Sequence, residues 1–184
     1  MAPAHRWLRP WFLATAAVVT LAVGLLPELA GLGWHLLYGS EARLGDWRVP
    51  VPSGWFAVRQ GEALTLERMQ RLALWKPPPT VVFLPVHLGP QAQFDPGVWS
   101  RVQGELQARR GYWLAATRRM PMAGHSAFCW EFLRQGQPTR WWVTCLVPEQ
   151  RLSADFSGPQ DFIEDFYRIL PGIRRAEEHP QRTE

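Results

Sequence analysis

Two cysteines, Cys129 and Cys145, are the residues of this 184-residue chain best placed to do chemistry. They sit in two runs rich in aromatic and β-branched residues, 126–133 and 141–147, on either side of a Gly/Pro/Thr-containing segment. That pattern signals a hairpin. With the loop centred on Gln137, paired positions sum to 274 and the two cysteines face each other. A two-residue turn at Gly136-Gln137 would shift the register by one and put Pro138, which has no N–H to donate, into the ladder. The spacing therefore predicts a five-residue loop and a Cys129–Cys145 disulfide. Zinc fits poorly. Fifteen intervening residues match no finger pair, and His87 and His125 lack ligand spacing.

The other candidates yield less. Gly124-His125-Ser126-Ala127-Phe128 begins like a nucleophile elbow. Phe128 stands where the last glycine belongs, however, and the run leads into a strand rather than a helix. No Gly-rich phosphate loop or EF-hand pattern occurs. No catalytic, cofactor-binding or metal-ligating residue is assigned, and no cofactor is expected. Arg109-Arg110 and Arg118-Arg119 could form a basic patch, but the net charge of +4 is small and scattered. A nucleic-acid partner is not expected. Of the eleven tryptophans, Trp141 and Trp142 are adjacent, so in a strand they point to opposite faces. One of them is then a candidate partner contact.

The amino terminus carries a membrane signal. Arg6 and Arg9 precede a stretch, 11–26, that is apolar, small or threonine throughout. Pro27 and Glu28 interrupt it, and 29–38 is again mostly apolar. Sixteen residues span about 24 Å, short of a bilayer core of about 30 Å, and extension to residue 37 covers the deficit. A retained signal-anchor over 11–37 is favoured over a cleaved signal, because Glu28, three places before a cut after Leu29-Ala30, is a poor residue there. The arginines favour a cytoplasmic segment 1–10 and an extracytoplasmic remainder, as for a single-pass protein of a bacterial inner membrane.

After a linker at 38–43, Trp47, Val49 and Val51 alternate as a strand that Pro50 and Pro52 assign to an edge. A hairpin is expected around 60–62, a short strand at 71–75 and a strand buried on both faces at 80–86. Asp95-Pro96 is a helix start, and Val98, Val102 and Leu106 predict an amphipathic helix over 96–110. A strand at 112–117 and a turn at 121–124 lead into the cysteine hairpin. Leu152, Ala154 and Phe156 make a third meander strand, and a last helix carries Phe162, Ile163, Phe166, Ile169 and Leu170 on one stripe. The charged tail, 175–184, is expected to be mobile. The order predicts an α+β domain over 45–174, an antiparallel β-sheet flanked by two helices and preceded by one transmembrane helix.

The opening Val49-Pro50-Val51-Pro52-Ser53-Gly54-Trp55 resembles that of PsbP-like domains. The three strands leading into Phe-Ser-Gly, and the ending Phe-Tyr-Arg-Ile-Leu-Pro-Gly-Ile-Arg, are similar to that family's last meander and closing helix. The likeness covers roughly residues 45–174 and implies an α/β/α sandwich. It also implies a binding or assembly factor without catalysis, and no functional residue carries over. The paired cysteines and the anchor depart from the photosynthetic members. The expected function is a membrane-anchored, non-enzymatic envelope domain that binds an envelope protein or glycan. The alternative is an envelope enzyme acting on lipid or glycan, which would need His87, His125 and Glu131 in one cleft.

Overall fold

A computed structural model describes residues 10–68, 77–86, 94–136 and 139–176. The chain begins with α1 (Pro10–Tyr38), one continuous helix of 29 residues. Its last turns dock on the rest of the fold. His35 Nε2 lies 3.0 Å from the Pro52 carbonyl oxygen, and Trp34 packs against the main core. A Cβ on Gly31 would come within 2.7 Å of the Gly54 Cα, so only glycine permits this approach. The transmembrane helix expected over 11–37 is not found. Among the described residues no helix is long and apolar enough to cross a membrane. The stretch beyond Glu28, needed to reach bilayer thickness, includes the turns that dock on the domain.

The expected linker is partly a strand. β1 (Glu41–Leu44) buries Ala42 and Leu44 on one face and pairs antiparallel with β2 (Trp47–Pro50). β2 is not an edge strand. It lies at the centre of a three-stranded sheet whose third member, β10 (Arg174–Arg175), pairs only with Trp47 and Arg48. Val51 N donates to Ser40 O at 2.8 Å on the β1 side, so the Pro50 ring nitrogen faces the other side, beyond the two residues with which β10 pairs. Arg174 and Arg175, read with the mobile tail or at its border, are thereby pinned. Residues 177–184 of that tail, and the strand expected at 71–75, lie outside the described residues.

The main sheet is antiparallel throughout, as the α+β reading required. It comprises β3 (Phe56–Gln60), β4 (Ala63–Glu67), β5 (Thr80–Pro85), β6 (Trp113–Met122), β7 (His125–Arg134), β8 (Arg140–Val147) and β9 (Leu152–Gly158). Their spatial order is β3-β4-β5-β9-β8-β7-β6. Strand alternation sorts the side chains onto two faces. One face carries Leu66, Val81, Phe83, Phe156, Val143 and Ala127, all with at most 1 % of their surface exposed, and joins Phe166 and Ile169 of α3 (Ile163–Ile169). The other carries Trp130, Phe132 and Leu146, with Trp99 of α2 (Pro96–Ala108) packed against them.

Two strand expectations change. β5 is fully buried only at Val81 and Phe83, whereas Val82 and Leu84 are half-buried. β6 runs on through Pro121, because an edge strand leaves the outer side of that residue without a donor to supply. The turn shrinks to Ala123-Gly124, with φ of 53° and 76°.

Candidate functional site

The cysteine pair behaves as the hairpin register requires. Cys129 lies opposite Cys145, Arg134 opposite Arg140, and five residues separate the strands. Both cysteines are buried, and their sulfurs are 2.07 Å apart in a disulfide. Gln137 and Pro138 of the loop lie outside the described residues.

Trp141 and Trp142 do point to opposite faces, but neither is exposed. Trp141 packs against the α3-side core with its Nε1 buried and unpartnered. Trp142 packs against the second cluster, donates from Nε1 to Thr144 Oγ1 at 3.0 Å, and has Arg110 over its ring at 5.6 Å. As binding residues they would offer only their outer edges.

His125 and Glu131 are not brought together. They lie six residues apart on β7, roughly 20 Å at strand rise. His87 is outside the described residues. Glu131 is buried against a cation and a phenol: Arg118 donates to both carboxylate oxygens, the NH2–Oε2 bond at 3.0 Å, and Tyr167 OH donates to Oε1. Burial, then the hydrogen bond to Glu131, pushes the Tyr167 phenol well above its ordinary range. This triad ties α3 to the sheet and leaves no carboxylate oxygen for a substrate. Glu131 in an otherwise apolar run was a legible sign of a buried partner, but the partner's identity was not. Arg118 and Arg119 do not make a patch, since Arg119 turns to the opposite face and lies 4.6 Å from the Phe128 ring centroid.

The expected helix is capped as read, with Asp95 Oδ1 accepting from Gly97 N and Val98 N at 2.7 and 3.2 Å. Its orientation is reversed. Val98, Val102 and Leu106 are 55 %, 45 % and 45 % exposed, while Gln107 is buried and Trp99 half-buried. Exposed Trp113 and Leu114 at the start of β6 add to the apolar surface.

The sheet also holds an ionisable group that sequence reasoning passed over. Asp155 faces Thr144 across β8 and β9, and its Oδ1 is buried without a partner. Burial raises its pKa from 3.8 to about 6, against the pull of the Thr144 hydrogen bond.

A last cluster forms where β2, the β6–β7 turn, the segment after β8 and β10 meet. Gln150 Nε2 approaches His125 Nε2 at 2.7 Å, and Arg175 NH2 donates to Gln150 Oε1 at 2.9 Å. The Arg175 guanidinium lies 5.2 Å from the Trp47 ring centroid. Among the described residues no group of three or more His, Cys, Asp or Glu is arranged to hold a metal ion. No family model matches the chain, and no curated protein matches it.

Proposed function

We propose that this chain is a membrane-anchored, extracytoplasmic, non-enzymatic binding or assembly domain of a bacterial envelope. The observation that carries the reading is the free part of α1. Every residue from 14 to 22 is exposed, with Val18, Val19 and Leu21 among them, and no charge occurs from 11 to 26. An exposed stretch of this composition favours contact with lipid, although by itself it is shorter than a bilayer core. Arg6 and Arg9 at its start favour a cytoplasmic amino terminus. The Cys129–Cys145 pairing suits the oxidising side of the membrane. The resemblance of 49–55 and of the closing segment to PsbP-like domains favours binding over catalysis. So does the outward stripe of α2, Val98, Val102 and Leu106, as a face for an envelope partner.

An alkaline phosphatase fused after residue 184 tests the reading, because the enzyme is active only outside the cytoplasm. The expected result is an active fusion that stays in the membrane fraction after alkaline carbonate extraction. An inactive fusion, or one released by carbonate, defeats the anchor.

A further inference from the structure

The cluster around Gln150 borders an open surface cavity of about 470 Å³ whose lining includes Trp47, Ala123, His125, Gln150, Arg174 and Arg175. Its charge is one-sided: two arginines line it, and no carboxylate does. Arg174 is shared with Glu41 through a 2.6 Å ion pair, whereas Arg175 has no acidic partner among the described residues.

Arg175 is held, not loose. β10 pairs it with Trp47, and the Ala176 N–H donates to Asp46 O at 2.6 Å, which fixes the backbone on both sides of the side chain. A guanidinium only donates, so it must meet the Gln150 amide oxygen, which turns the amide nitrogen towards His125. His125 Nε2 is then the acceptor of this bond. The chain Arg175–Gln150–His125 thus orients three polar groups around one space, and most of the guanidinium donors stay uncommitted.

The backbone at this cavity is strained. Ala123 and Arg151, at φ of 53° and 49°, are the only non-glycine residues with positive φ among the described residues. One lines the cavity and the other follows Gln150 directly. Strain of this kind collects at ligand sites.

We propose that this cavity binds an oxyanion, a phosphate or carboxylate group, carried on a ligand whose apolar part rests on the exposed part of Trp47. Arg175 supplies the charge-assisted bonds and Trp47 the flat wall. The site goes beyond the binding reading above and does not depend on the anchor, so the two fail separately.

The test uses the full-length protein in phosphatidylcholine nanodiscs, with NMR signals assigned to the Trp47 indole N–H and the His125 ring. Inorganic phosphate, acetate and phenyl phosphate are titrated against sodium chloride at matched ionic strength. The expected result is saturable shifts of both signals with phenyl phosphate and phosphate, phenyl phosphate binding several-fold tighter. Gln150→Glu, which keeps the shape and puts a carboxylate into the cavity, and Arg175→Gln should each weaken binding at least tenfold. Arg101→Gln, a charge removed from exposed α2, should leave binding unchanged. Shifts in phosphatidylglycerol nanodiscs without added ligand identify a lipid headgroup as the source; their absence identifies a soluble anion. Shifts that follow sodium chloride equally, or that survive both cavity substitutions in a folded protein, overturn the site. An equal loss with Arg101→Gln also overturns it.

Discussion

Asp155→Asn should stabilise the protein at alkaline pH and remove part of its pH dependence. The folded pKa of Asp155, about 6, lies above the ordinary carboxyl value of 3.8. The fold therefore favours the protonated form. Its contribution is fully present below pH 3.8 and is lost as pH rises through 6. A gap of roughly two units corresponds to an upper bound near 3 kcal/mol at pH 8. Two facts reduce it. The residue keeps part of its surface in contact with solvent, and Thr144 already donates one hydrogen bond to the carboxylate. About 1 to 2 kcal/mol should remain, or roughly 2–8 °C in Tm for a chain of this size. Asparagine fits the same space without ionising. Urea titrations of the full-length protein, followed by tryptophan fluorescence at pH 5, 6, 7 and 8, read the difference between variant and wild type. That difference should grow in favour of the variant across the window, with histidine titrations common to both proteins cancelling. A difference that is the same at pH 5 and pH 8 would refute the argument.

Replacing Cys129 and Cys145 by serine opens a loop of about 15 residues and should cost on the order of 3 kcal/mol; intact mass after alkylation without reductant should show no added label on the wild type. Trp141→Ala and Trp142→Ala should both destabilise, by about 2 kcal/mol or more, since each ring packs against a different core cluster; a variant that keeps its melting point would point to a contact residue instead. Val102→Ser should change stability by less than about 0.5 kcal/mol because the side chain faces solvent; a loss above 2 kcal/mol would mean that the stripe is buried after all.

The cysteine hairpin was legible in the sequence because its determinants are neighbours. Pro138 excludes one register, alternation fixes which side chains share a face, and together they put Cys129 opposite Cys145. The Asp95 cap and the stripe of Phe166, Ile169 and Leu170 were readable for the same reason, since capping and helical period act within a few residues. The orientation of α2 was not. Periodicity marks an apolar stripe, but which side of a helix meets the sheet depends on the surface that distant strands present, and here Trp99 and Gln107 took the inner place. The centrality of β2 hung on two residues, Arg174 and Arg175, whose pairing partners lie about 127 positions earlier. Arg175, Gln150, His125 and Trp47 come from four segments with no shared pattern. Asp155 reads as a polar residue in an alternating strand, and only its burial in the tertiary structure removes the water that its charge requires.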